Sequence, residues 1–339
     1  MARMAIIGHG ARTPLGLDCR SSAAAVRAGI SAIADHPFMI DRFGQPMKVT
    51  RDPGLDEDWR CLRRVSALAA AAAQEALAGY RPATGVTEGL AEGLAVMLNL
   101  GEPRPGLPAG SSAEVARHLR AALKLDAPIH HAMEGHAGGI AAMEAADGLL
   151  DSGRAKAVLV GGAESYLDAD TLEWLDSEER LHSENNIYGF CPGEGAAFIL
   201  LAKHDEDAAM EIAATGLGRE ANLRGTENIC LGEGLGAAFA ALRDGPADRI
   251  ICDMNGERYR GNEYGFAALR SHTLFHDAAD FEAPADCWGD VGAASAPLFA
   301  CLAIEAEVRG YAKGPCTLIW ASSARELRGA ALLRRQENA

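Results

Sequence analysis

The feature that most constrains this chain is the alternation, from end to end, of short wholly apolar runs with helical patterns. Leu94-Ala-Val-Met-Leu-Asn-Leu, Ala157-Val-Leu-Val and Ala196-Ala-Phe-Ile-Leu-Leu are strand-length and apolar on both faces. Between such runs lie Ser21 to Gly29, the Ala-rich Val65 to Gly79, and Ser111 to Lys124, where Ser111 and Glu114 read as a capping box. Strands with two apolar faces must be covered on both sides. The pattern therefore predicts an α/β fold with a mixed, mostly parallel sheet between helical layers. After the charged stretch His204 to Asp207 the pattern restarts with Met210-Glu-Ile-Ala-Ala. It continues with a helix near Gly236 to Leu242, a strand Ile250 to Asp253, a helix Pro297 to Val308 and a last strand Thr317 to Ala321. The restart predicts two halves, 1–205 and 206–339.

One segment concentrates the chemistry. "HHAMEGHAGGIAAMEAADGLLDSGRAKAVLVGGAES", His130 to Ser165, reads as the end of a strand (Pro128 to Met133), a Gly-rich turn, a helix and a buried strand ending in Gly161-Gly162. A strand that turns sharply into a helix can present one side chain at the helix N-terminus as a nucleophile. At the tip of this turn stands His136. Imidazole can accept an acyl group, but a helix N-terminus disfavours its protonated form and an acyl-imidazole hydrolyses easily. A neutral histidine that fills space is the simpler reading.

Composition narrows the partners. The formal net charge is −15 and no Lys/Arg block interrupts it, so a phosphate backbone would be repelled and nucleic acid is not expected. No apolar run approaches the ~18 residues of a membrane span. Met1-Ala-Arg-Met-Ala-Ile-Ile-Gly enters a strand without a charged-then-apolar leader, which predicts a cytoplasmic protein. The eight cysteines include no C-x-x-C pair, and the histidines show no run at metal spacing, so the reading is reduced thiols with no metal and no cofactor. Gly8-His-Gly10 follows the first strand, but Ala11-Arg-Thr-Pro14 breaks a dinucleotide loop. His130 and His131 point to opposite faces of their strand and cannot chelate one metal together. The Pro/Gly-rich Gly101 to Ser112 reads as a surface loop.

Three segments in order resemble the β-ketoacyl synthase branch of the thiolase superfamily: "IIGHGARTPLG" (Ile6 to Gly16), "SGRAKAVLVGGAES" (Ser152 to Ser165) and "GFCPGEGAAFILLA" (Gly189 to Ala202). The resemblance implies a five-layer αβαβα sandwich of two similar halves, usually dimeric, with the strand around His130 near the dimer seam. It also implies a Cys nucleophile at the strand-to-helix elbow, two His residues from the second half, and a Gly-rich turn near the C-terminus. The family spacing back from Glu164 places the nucleophile at His136, and no Cys lies between Cys61 and Cys191. Asn255 takes the place of the first His, and Gly289 or Asp290 that of the second. The last turn reads "SSARELRG", with Arg325 and Glu326 where glycines are expected, a pair that would close the cleft.

The resemblance thus points to a degenerate synthase: a non-catalytic partner subunit, forming a homodimer or a heterodimer with a related subunit, or a protein adaptor. "DMNGERYRGNEYGFA" and "DCWGDVGAAS" look like a subgroup of thiolase-like proteins associated with type VI secretion loci. The alternative is an acyltransferase with a remodelled site. Glu134, His136 and Asp290 would be its acid/base groups, or Cys191, Cys252 or Cys287 a displaced nucleophile. Buried cysteines more often act as small hydrophobes.

Overall fold

The computed structural model describes residues 3–78, 93–203, 205–243 and 245–336. Met1, Ala2, Gly79 and His204, on which some of the expectations above fall, lie outside the described residues. The first half runs β1 (Met4–Arg12), α1 (Cys19–Arg27), β2 (Ala34–Ile40), β3 (Pro46–Val49), α2 (Cys61–Ala78), β4 (Leu94–Leu100), α3 (Ser111–Leu123), β5 (Ile129–Ala132), α4 (Gly138–Asp151), β6 (Ala157–Ser165), α5 (Ala169–Ser177) and β7 (Glu194–Ala202). The second runs β8 (Met210–Arg219), α6 (Glu233–Ala241), β9 (Arg249–Cys252), α7 (Arg258–Arg270), β10 (Phe281–Glu282), α8 (Ala285–Trp288), α9 (Ser295–Val308), β11 (Cys316–Ser322) and β12 (Leu327–Arg335).

The main sheet has the order β10-β9-β11-β12-β8-β1-β7-β6-β4-β5. Strands β2 and β3 pair separately; read outward from the β8–β1 junction, both arms repeat one order, the first, fifth, fourth, second and third of the main-sheet strands in each half. The junction is a short antiparallel pairing of Met4 with Ile212 and Ala5 with Glu211. Among the described residues a small apolar cluster gathers β3 and α5, and three larger cores flank the sheet. One packs α2 and α3 on the first arm, one packs α6 and α7 on the second, and the largest gathers α4 and α9 with strands of both arms. The run Ser295 to Ala306 of α9 is buried on every side, as a helix enclosed between apolar layers must be.

The sheet is mixed rather than mostly parallel. β4 pairs parallel with β5 and β6, and β9 with β10 and β11. β1–β7, β6–β7, β8–β12 and β11–β12 are antiparallel. Continuous apolar runs report that both faces are covered, and they are silent on strand direction. The capping box also falls elsewhere: α3 is entered through Gly110 with φ +95°, and Ser111 Oγ donates to Pro108 O. The box caps α1 instead, where the Asp18 carboxylate accepts from Ser21 N at 2.6 Å. The loop 101–110 turns inward as well, with Arg104 buried against Glu164 at 2.7 Å and stacked 4.4 Å from the Tyr166 ring.

Close backbone approach explains the glycines of the first strand. A Cβ on Gly8 or Gly10 would meet the carbonyl oxygens of Ala76 or Ala72 of α2 at 2.3 Å, so the Gly-His-Gly motif serves strand–helix packing. On Gly162 of β6 a Cβ would fall 2.0 Å from Ala293 O, where the turn before α9 crosses the strand. Gly162→Ala should therefore destabilise the chain by ~1–3 kcal/mol through a forced backbone shift. Gly148→Ala, exposed within α4 with open space around it, should gain ~0.5–1 kcal/mol. Urea unfolding of the two variants checks the opposite signs.

Candidate functional site

The elbow before α4 is set by its backbone. Gly135 sits at φ +67°, which lets the chain leave β5 and turn into the helix within a few residues. Asn99, at the end of β4, clamps the turn from both sides: its Nδ2 donates to Gly135 O at 2.7 Å and its Oδ1 accepts from Glu134 N at 3.1 Å. The Ala137 amide at the head of the helix donates to Ser323 Oγ at 3.0 Å, and Ser323 Oγ donates to Glu134 O at 2.5 Å. A helix-start amide that an incoming anion would use is already engaged.

His136 is buried here, and its Nε2 lies 2.8 Å from Asp290 Oδ1. Asp290 follows α8, and its Oδ1 also accepts from Gly292 N at 2.8 Å while its Oδ2 accepts from Asn255 Nδ2 at 2.6 Å. Asn255, just past β9, uses its Oδ1 to accept from Glu257 N at 3.0 Å. Glu257 in turn receives a two-pronged ion pair from Arg180 at 2.9 and 3.0 Å. Arg260, fully buried on α7, donates through Nη1 to Asp253 Oδ2 at 2.6 Å and Ser322 O at 2.7 Å, and its Nη2 stands 3.5 Å from His136 Nε2.

The electrostatics of this cluster are self-contained. Burial, the largest influence, pushes His136 toward neutrality, and Arg260 pushes the same way, but the charge and hydrogen bond of Asp290 with the charge of Asp253 together hold the imidazole pKa above its ordinary value. For Asp290 burial acts upward, and the charge and hydrogen bond of His136, with Arg260 and Asn255, hold the carboxyl well below the usual carboxylate range. Glu257 is likewise lowered, Arg180 overcoming the effect of burial. A protonated His136 with Arg180 and Arg260 balances Asp253, Glu257 and Asp290, so the cluster holds no uncompensated charge to offer a substrate. The cavity beside it, bounded by Asn255, Asp290, Trp288 and Phe299, measures about 10 Å³, room for no more than about one water. A much wider groove of about 760 Å³ lies elsewhere, along the outer face of α7.

The structure brings His136, Asn255 and Asp290 into one hydrogen-bonded chain, and Asp290 rather than Gly289 faces the histidine. Glu134 does not join them. Its side chain is exposed and only its backbone takes part in the turn. Nor do Arg325 and Glu326 fill the cleft. Both are exposed at the tip of the β11–β12 turn, where Arg325 N donates to Glu102 and Glu326 pairs with Arg219. Arg260, Asp290 and Ser323 occupy the interior instead. The displaced-nucleophile readings find no support in electrostatics: burial pushes the thiols of Cys252 and Cys287 up, and that of Cys191 up to about 11. Sequence reading missed Arg180, Asp253 and Arg260. For Asp253 and Arg260 the signal was the run of charges in "CDMNGERYR", directly after an apolar strand; Arg180 lies outside it.

The motif glutamates have structural partners. Glu194 accepts from Arg64 Nε and Nη2 at 2.7 Å each, from Asp52 N at 2.8 Å and from Ser165 Oγ at 2.9 Å. Glu164 accepts from Arg104 at 2.7 Å and from Ser165 N at 3.1 Å. Both carboxylates hold loops to the sheet.

Comparison with known proteins agrees with this scaffold. The family model "Beta-ketoacyl synthase, N-terminal domain" matches residues 1–207. No curated protein matches the chain. Among solved structures, the ishigamide ketosynthase/chain length factor superposes with a TM-score of 0.68 at 20% identity, over 98% of this chain and 99% of that one. A β-ketoacyl synthase from Burkholderia phymatum STM815 gives 0.75 at 17% identity, over 99% and 100%. The ketosynthase ApeO in complex with its chain length factor ApeC, from Xenorhabdus doucetiae, gives 0.75 at 14% identity, over 99% and 98%. At these identities the likeness is one of fold.

Removing one partner of a buried ion pair strands the other, so Asp290→Asn should cost ~3–5 kcal/mol of stability. Its pH dependence has a definite sign. The raised His136 contributes fully below its ordinary pKa of 6.5 and loses its contribution as pH rises through the folded value. The lowered Asp290 contributes above its ordinary 3.8 and loses its share as pH falls toward the folded value. The gap between the wild-type chain and Asp290→Asn in urea unfolding should be widest between those two values and narrow in alkali.

Proposed function

We propose that this chain, which belongs to the β-ketoacyl synthase family, has given up condensation and serves as a non-catalytic partner subunit or protein adaptor. One observation carries the reading: the elbow that would present a nucleophile presents a buried histidine, locked by Asp290, in a cluster without substrate space. His136, Asn255 and Asp290 stand where the family's three catalytic residues are expected. The repeated strand order and the three cores support a five-layer αβαβα sandwich of two similar halves, 1–205 and 206–339. Ketosynthases of this fold are solved together with chain length factors, which supports an accessory subunit as a role the scaffold can fill. Among the described residues no helix is long and apolar enough to cross a membrane, which fits work in the cytoplasm, whether beside a synthase or in a type VI secretion context.

An accessory subunit needs an interface. Among the described residues β5 ends the sheet with β4 as its one strand neighbour, and His130, His131 and Ala132 are exposed along it. An uncovered strand edge is a template for a strand from another chain, a second copy or a related subunit. The competing reading, an acyltransferase built on the His136–Asp290 pair, has the 2.8 Å contact in its favour. It lacks access, since an acyl chain does not enter about 10 Å³.

Two measurements follow. Incubation with acyl-CoA or acyl-carrier thioesters should leave the protein mass unchanged, and no malonyl decarboxylation should appear; activity that vanishes in His136→Ala would return the chain to the enzymes. Separately, His131→Asp with Ala132→Asp places like charges along the exposed edge and should shift a dimer toward monomer in light scattering. Circular dichroism should remain unchanged, and an unaltered mass would move the interface away from β5.

A further inference from the structure

A second polar cluster lies away from the elbow, between β1, α1 and α9, and the proposed role does not use it. His9 of β1 places Nε2 at 3.0 Å from Glu305 Oε1 on α9. Cys19, the first residue of α1, brings its thiol to the same point, so that the His9 nitrogen, the Cys19 sulfur and a Glu305 oxygen all lie within 4.8 Å of one another. Cys301 stands one helical turn before Glu305 on the same face of α9, and its thiol donates to Gly10 O at 3.8 Å, beside His9 in β1. Cys19, Cys301 and Glu305 are buried, and His9 is half-buried.

We propose that His9, Cys19 and Glu305, with Cys301 as the fourth ligand, form a binding site for a zinc-class divalent cation that ties the first strand and helix to α9. The donor set is the mixed imidazole, thiolate and carboxylate chemistry that tetrahedral zinc takes, with ligand atoms roughly 3.3–3.7 Å apart at ordinary bond lengths. The surroundings already orient the ligands. Arg309 Nε holds the second Glu305 oxygen at 3.0 Å, leaving Oε1 directed at His9. The Glu75 carboxylate accepts from the backbone amides of Cys19 at 3.0 Å and Ala11 at 2.8 Å, which fixes the head of α1 against β1. Such outer partners set ligand direction and affinity. Zinc with one carboxylate and one or two thiolates is neutral or singly negative, and Arg309 sits beside the residual charge. Cobalt(II) and zinc add to the deprotonated ligands, each thiol proton passing to buffer, with no change of oxidation state.

The test uses the full chain, reduced and stripped of metal, titrated with cobalt(II) and then with zinc. One cobalt per chain is expected, with a thiolate-to-cobalt charge-transfer band and intense visible ligand-field bands that zinc abolishes. Cys19→Ser should lose the charge-transfer band or most of it, and His9→Gln should weaken zinc binding by at least about ten-fold. His9→Gln also guards against a Cys19 variant that fails to fold, with circular dichroism as the check on both. Cys191→Ser should change nothing. A second group, Glu220, Cys230 and Glu263, has donor atoms equally close. Loss of the band in Cys230→Ser with its retention in Cys19→Ser would overturn the proposal, as would the absence of any thiolate band in the wild-type chain.

Discussion

A single desolvated carboxylate, that of Asp290, joins the parts of this molecule that matter most for its function. It receives His136 from the elbow of the first half, Asn255 from the strand end of the second, and the Gly292 amide at the start of the α9 turn. A carboxylate taken out of water is tolerated only when its lone pairs are filled and its charge is matched. Both conditions are met by groups drawn from separate elements. The position of α4 relative to α9, and of both relative to β9, is therefore tied to one side chain. Three hydrogen bonds and the facing His136 hold the carboxylate in one orientation.

The rest of the buried charge follows the same rule in a structural role. Arg64 of α2 with Glu194 ties a helix to the sheet and Arg104 with Glu164 ties a loop to it, and both pairs are almost completely enclosed. The scaffold and the reactive groups respond to different constraints. The former must fill space and satisfy every polar atom, and the latter must leave one atom unsatisfied at the right place. At the elbow, His136 and Asp290 follow the first constraint through the contacts they make with each other, Asn255 and Gly292.

Much of the fold was legible because burial on both faces leaves a plain mark in sequence. The apolar runs at 94–100, 157–160 and 196–201 fell within β4, β6 and β7, and the largely apolar Pro297 to Val308 fell within the enclosed helix α9. β12 escaped notice because Leu327 to Arg335 carries arginines near both ends, and Arg328 is in fact buried against Glu263. α7 escaped because its buried face is built from Arg260, Glu263 and Tyr264 as much as from alanine, and periodicity of apolar residues does not register a buried ion pair.

The sequence by itself determined the α/β class, the place where the pattern restarts, and the presence of a histidine at the strand-to-helix elbow, all of which depend on residues near one another in the chain. Only the tertiary structure decided what that histidine meets. Asp290 lies 154 positions away from His136 and Arg260 lies 124 away, and neither the choice of Asp290 over Gly289 nor the outward turn of Glu134, Arg325 and Glu326 has a local cause. Hydrogen-bond geometry and desolvation act between groups that the sheet order brings together. Spacing along a chain carries the period of its local structure, whereas the pairing of buried charges is fixed by the packing of layers.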